Sequence, residues 1–313
     1  MTNDKQRRGV RPFVICYLLF VISAVNSACA ARTPPRPTGA ATADATAPAA
    51  FEAATASCRG FRSIEGELGL SGRAGGERVR GRVLAGLEAG GAVRLEAPAP
   101  FGAPFFILAG KDETATLVLP RERRVLKDTA VSAVLERLTG LTLGADDLRL
   151  IVSGCLVDRA PADTGSPSRG LCAMGCDGRQ FPGGWQVVTI GPERVAYLRT
   201  VQGRPTLVAA DYGPWRVDYS QHAGGFPRVV RVRSALGRRS LGEGGSATAS
   251  TSAKDAADRS ADRMGEVDIT ARVEQLEVNT QINPRAWSVD VPSDADPMTL
   301  DELRSIAPLA ERK

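Results

Sequence analysis

From Ile64 onward the chain alternates. Leu68 and Leu70 stand between Glu67, Gly69 and Ser71, and "IEGELGLSGR", "ERVRGRVLAGLE", "GGAVRLEAP", "APFFILAG", "TATLVLP" and "RRVLK" follow with turn residues between them. A period of two marks strands with one buried face, and the short spacing predicts antiparallel, hairpin-linked neighbours. Before this run, Phe51, Ala54, Cys58 and Phe61 recur near helical spacing and predict a short helix over 51–62. After it, "DTAVSAVLERLTGL" places Val131, Val134, Leu135 and Leu138 on one helical face behind an Asp/Thr cap, and "GADDLRLIVSG" opens a second helix with Asp146 and Asp147. Strands then return in "GGWQVVTIG", "ERVAYLRTVQ", "RPTLVAADY", "PWRVDYSQ" and "PRVVRVRS". In "EVDITARVEQLEVN" the inward parity of Val267, Ile269, Ala271 and Val273 switches at Leu276 and Val278, which predicts a bulge near Glu274–Gln275.

Strands, helices, then strands again predict an α+β fold that is mainly antiparallel β. The expected form is a strongly curved, incomplete β-barrel with a helical lid or plug on its concave side. The inside of such a sheet can remain a cavity. Its candidate walls are Leu68, Leu70, Val83, Leu95, Ile107, Leu117, Val188, Val217 and Val230, covered by Val131, Val134, Leu135 and Leu138.

Composition narrows the picture. Aromatic residues make up 5%, against 33 glycines and 20 prolines, as expected of many short strands with turn punctuation. Low-complexity ends and the stretch 237–264, read as a disordered insertion, leave roughly 200 residues to fold, enough for one domain. The net charge of +5 comes largely from arginine clusters such as "RERR" and "RVVRVR". With no nucleic-acid module present, these read as solvated strand faces or as a surface facing anionic lipid.

The first 28 residues read as an export signal. Lys5, Arg7, Arg8 and Arg11 precede the thirteen-residue apolar run "FVICYLLFVISAV", short for a membrane span of ~20 residues. "NSAC" then offers Cys29 for lipidation, although Asn26 stands where a lipobox has Leu; cleavage after Ala30 in "ACA" is the alternative. Residues 29–50, rich in Pro, Ala and Thr, suit a tether holding a domain over 51–305 off a membrane, with a tail at 306–313.

Cys58, Cys155, Cys172 and Cys176 remain as disulfide candidates, with three possible connectivities in an oxidising compartment. Cys155 joined to Cys172 or Cys176 would close a loop rich in Pro, Gly and Ser. That use fits better than a metal site, for which only His222 could add an imidazole. No Gly-x-Ser-x-Gly elbow, P-loop or dinucleotide fingerprint occurs, and the carboxylate pairs Glu65/Glu67 and Asp146/Asp147 have strand-face and capping explanations. The chain is therefore expected to be neither an enzyme nor a carrier of a cofactor or metal.

One loop stands apart. "EAPAPFGAPFFILAG" joins two strands and places Phe101 between Pro100 and Gly102. Phe101 either points into solvent or folds back onto the barrel beside Phe105, Phe106 and Ile107.

Taken in order, the helix before "GELGLSGR", "VRLEAPAPFG", "LERLTGL" and the terminal "WSVDVPSDADPMTLDELR" resemble the Lol lipoprotein-carrier family, over roughly residues 51–305. The layout is most similar to the family's outer-membrane receptor. The disulfide-capable loop and the 237–264 insertion are additions to the family pattern. The resemblance implies a half-barrel that takes the acyl chains of lipoproteins, receives them from a periplasmic carrier and places them in the outer membrane. It also implies that the "PFG" turn is a membrane-insertion loop, and that "WSVDV" is a strand before a Pro turn and short helix. Ala30, rather than Asp, after Cys29 points by analogy to the outer membrane. The alternative is a structural envelope lipoprotein that uses the same fold as an interaction module.

Overall fold

Two meanders meet edge to edge. The computed structural model describes residues 35–158, 176–234, 267–306 and 308–309. The first meander runs through β2 (Ser63–Ala74), β3 (Glu77–Glu88), β4 (Ala92–Ala97), β5 (Phe106–Lys111), β6 (Thr114–Leu119) and β7 (Arg124–Ala130). Helices α2 (Val131–Thr139) and α3 (Ala145–Ser153) follow. The second meander comprises β8 (Cys176–Phe181), β9 (Trp185–Ile190), β10 (Arg194–Val201), β11 (Arg204–Tyr212), β12 (Trp215–Ser220), β13 (Val229–Ser234) and β14 (Val267–Val278). β14 pairs antiparallel with β2 and joins the halves. Two-residue strands, β1 (Thr42–Ala43) against β8 and β15 (Asp296–Pro297) against β7, cap the edges of this 15-stranded sheet, which does not close. The architecture is an incomplete, mainly antiparallel barrel with helices on one face.

Cross-strand partners show that the inner face is continuous. Leu68 lies opposite Val83 on one side and Val273 on the other; Leu70 lies opposite Ala271, which meets Val230. The register shifts between Val273 and Gln275, which turns Leu276 and Val278 back toward the core, so the bulge stands where the parity switch places it. α2, α3 and the C-terminal α4 (Leu300–Ile306) pack over the first half, while α1 (Ala47–Ala54) packs over β8–β11. Leu70 and Ala74 touch both cores. No helix among the described residues is long and apolar enough to cross a membrane.

Four expectations need correction. The tether was expected to reach residue 50, but Thr42 and Ala43 pair with Gln180 and Arg179, and Ala47 is fully buried. Small residues suit this place: a Cβ on Gly178 would stand 2.3 Å from the Asp44 carbonyl oxygen and 3.1 Å from Ala47 Cβ, so the seat of α1 needs glycine beneath it. The Asp/Thr cap of α2 is absent, because Asp128 and Thr129 belong to β7 and the helix begins after Ala130. "WSVDV" is no strand; Trp287 ends a 3-10 turn (Pro284–Trp287) against the outer face of β4 and β5. Finally, "CDGRQF" forms β8 inside what reads as a cysteine-containing loop. The expected export signal over residues 1–28, Cys29, Cys172, the 237–264 stretch and residues 310–313 lie outside the described residues.

Candidate functional site

The inner face of β2–β5, β13 and β14 is roofed by α2, α3 and the connection between them. α2 presents Leu135 and Leu138 downward before ending at Gly140, whose φ of +75° lets the chain turn away. α3 begins where Asp147 accepts a hydrogen bond from the Gly144 N–H at 3.2 Å. Asp146 accepts from the N–H groups of Gly90 and Gly91 at 3.2 and 3.0 Å, and so pins the helix start to the β3–β4 turn. The Tyr212 hydroxyl donates to Asp147 at 2.5 Å. The phenol is held above its ordinary pKa by burial and by the adjoining carboxylate, and stays a donor at neutral pH.

The far end of α3 is tied twice. The fully buried Arg149 donates to Asp146 and Asp158 and lies 5.1 Å over the Phe61 ring. Cys155, just past the helix, is bridged to Cys58 with a Cα separation of 5.5 Å. The expected closure of Cys155 onto Cys172 or Cys176 is therefore not what forms; Cys176 is itself disulfide-bonded. The bridge joins two core positions that helical spacing alone could not relate, because 97 residues separate them.

Beneath this roof is an apolar space of about 80 Å³. Leu68, Leu70, Val83, Leu95, Leu135, Leu138 and Val230 line it. Phe106, Leu141, Leu143, Leu148, Ile151, Val152, Val232, Ile269, Ala271 and Leu309 complete the wall, with Thr139 the one polar contributor. Leu117, Val131 and Val134 are buried in the same core but stand away from the space. Val188 and Val217 belong to the second core, around α1. Ile107 must be moved to the other face: it lies opposite Val118 and Glu96, while Phe106 points inward. Ile269 and Ala271 have the inward parity read for their strand, and Val232 follows Val230 by two residues, so the same alternation places all three on the wall. Leu141, Leu143 and Leu309 lie in irregular segments that carry no period to read.

A larger groove of about 340 Å³ lies on the outer face. It holds Glu65, Glu67, Glu96 and Glu277 with Arg94, which pairs with Glu96 at 3.3 Å, while Arg82 pairs with Glu67 at 2.6 Å; Trp287 and half-exposed Leu84 form its apolar wall. Glu277 stands directly opposite Glu65 across the β14–β2 pair. Carboxylates make this groove a poor host for hydrocarbon. The smaller inner space is the one chemically suited to an acyl chain.

Phe101 is 88% exposed, the most exposed of the large apolar side chains among the described residues. It sits at the tip of the β4–β5 loop, followed by Gly102 with φ +75°, and Pro100 is exposed before it. The alternative in which the ring folds onto the barrel is not what forms; Phe105 and Phe106 take that place.

No protein-family model matches the chain, and no curated protein matches it. Among solved structures, a DUF1329 family protein from Desulfovibrio piger shares 11% identity at a TM-score of 0.39, over 77% of this chain and 96% of that one. A LolA superfamily protein from Nitrosomonas europaea shares 9% identity at 0.38, over 79% and 99%. A domain described as an outer membrane lipoprotein-sorting protein, from Vibrio parahaemolyticus, shares 10% at 0.37, over 77% and 97%. Identities this low leave the reading of the site to its own residues.

Proposed function

We propose that this chain is a non-enzymatic envelope protein that accepts the acyl chains of lipoproteins beneath the α2–α3 roof and helps place them in the outer membrane. The observation that carries the reading is the inner space itself, walled by leucine, isoleucine, valine, alanine and phenylalanine from both meanders and from the helices. Each methylene of an acyl chain buried there is worth about 0.8 kcal/mol. The space of about 80 Å³ is well below the ~300–1,000 Å³ of typical ligand pockets, so loading requires the roof to move. α3 is tied at both ends. The parts of the wall outside regular elements are Leu141, Leu143 and Leu309, and these are the parts that swing. Cargo arrives from a periplasmic carrier, and Phe101 supplies the contact with the membrane.

The test is displacement of an apolar fluorophore. It should bind, be displaced by an acylated peptide and stay bound with the same peptide lacking its acyl chain. Equal displacement by both peptides would remove the lipid-binding reading. In this proposal Cys29 is the acylated N-terminus of the mature chain, held in the outer membrane, and the tether ends near Pro37 where the compact unit begins. Mass spectrometry of the mature protein should find a multiply acylated Cys29, since one chain anchors only marginally. An unmodified N-terminus at Ala31 would make it a soluble carrier instead.

The second reading, an interaction module without acyl transfer, has the outer groove in its favour. Directly opposed carboxylates such as Glu65 and Glu277 destabilise a strand pair, and a cationic partner would relieve them. That reading expects no fluorophore uptake and a stable protein partner.

A further inference from the structure

The loop that presents Phe101 cannot hold its own shape. Residues 98–104, "PAPFGAP", contain no polar side chain, and their three prolines lack an N–H. The neck is closed by the Phe105 N–H donating to the Ala97 carbonyl at 2.9 Å. Above that neck, the hydrogen bonds among the described residues come from one side chain, Arg121, at the β6–β7 turn. Its Nε donates to the Ala103 carbonyl at 2.8 Å and an Nη donates to the Phe101 carbonyl at 2.7 Å. The guanidinium carbon lies 4.5 Å from the centre of the Phe105 ring, and Phe105 packs against the first core.

We infer that Arg121 is a positioning residue for Phe101: its guanidinium clasps two loop carbonyls and fixes them to the core, so that the ring is presented ready to enter lipid. The inference rests on the membrane-insertion reading of Phe101. Two physical effects follow from the geometry. A loop already ordered in its bound shape loses less conformational freedom on insertion. A backbone carbonyl carried toward hydrocarbon also needs a donor that travels with it, and Arg121 provides one to Phe101 itself. Lysine could not replace it, because a single ammonium lacks the planar fork that reaches both carbonyls while stacking on an aromatic ring.

Tryptophan fluorescence tests this in the full chain from residue 29 carrying Cys29→Ser, so that no acyl anchor holds it to the vesicle. Phe101→Trp supplies the reporter, read as the difference from the same chain with Phe101, which carries three tryptophans of its own, and Arg121→Gln and Arg121→Lys are placed in both backgrounds. Vesicles are of phosphatidylcholine alone or mixed with phosphatidylglycerol. The reporter protein should shift blue and partition onto both vesicles. Arg121→Gln and Arg121→Lys should each weaken partitioning roughly tenfold on both, with melting temperature and fluorophore binding unchanged. In solution, both should lower the anisotropy of the introduced indole by freeing the loop. Weakening confined to the anionic vesicles, with Lys restoring it, would make Arg121 a headgroup contact and overturn the positioning role. Unchanged partitioning would overturn it as well. If the parent reporter stays in water on both vesicles, the membrane reading falls. Anisotropy then decides about Arg121 alone, and an unchanged value overturns the inference.

Discussion

Phe101→Glu is expected to leave the protein folded and to stop delivery of acylated cargo to liposomes. At 88% exposure the ring contributes little packing, so stability should change by no more than about 0.5 kcal/mol. Full burial of a phenylalanine is worth roughly 1.5–3 kcal/mol, and a carboxylate resists entering hydrocarbon. Transfer should therefore fall by at least about tenfold. Uptake of cargo into the inner space should survive, because Phe101 is not among its walls. Phe101→Leu should behave like the parent. Thermal melting read beside liposome transfer separates the outcomes. Unchanged stability with unchanged transfer would leave the loop exposed but idle and would favour the interaction-module reading.

The second large effect concerns the Cys58–Cys155 bridge. It closes a loop with a sequence separation of 97 residues, and both cysteines are buried in the first core. In the chain-entropy account a loop of about 100 residues is worth ~4.7 kcal/mol, and native bridges removed from small secreted domains cost about 2–5 kcal/mol. The double Cys58→Ser, Cys155→Ser variant should lose stability in that range. Denaturant titration is the check, and a loss under about 1 kcal/mol would show that the reduced chain already holds these two segments together. Because the bridge ties the end of α3, the same variant should take up the apolar fluorophore faster than the parent if the roof moves during loading.

Different parts of this molecule were legible to different degrees, for identifiable reasons. Alternation puts Leu68, Leu70 and Leu95 on the inner wall, because polar residues or glycine beside each leave one apolar parity, while Val83 shares its stretch with Leu84 and takes its side from Leu68 opposite. "FFIL" gave no such choice: four consecutive apolar residues fit either face, and Phe106 rather than Ile107 took the inside. Val188 and Val217 have the right parity, yet the sheet is wide, and position along a strand says nothing about distance across fifteen of them. Phe101 was readable because a proline and a glycine flank it in a turn. Arg121 was not, because nothing local connects it to a loop some twenty residues earlier. The entry of residues 42–50 into the fold was hidden by small side chains, which bury without looking apolar enough to do so.

The seam between the meanders has a consequence for the chain's birth. β2 finds one partner at once in β3, but its other edge waits for β14, whose first residue is Val267. Both strands span twelve residues and are among the longest in the sheet. A chain is made in N-to-C order, so the first meander waits through the synthesis of the second with a long row of unpaired N–H and C=O groups exposed. Such an edge invites pairing with a neighbouring chain, and closing it last makes the final step a contact of high sequence separation and hence slow. Folding is therefore a race between one late strand and every other edge nearby.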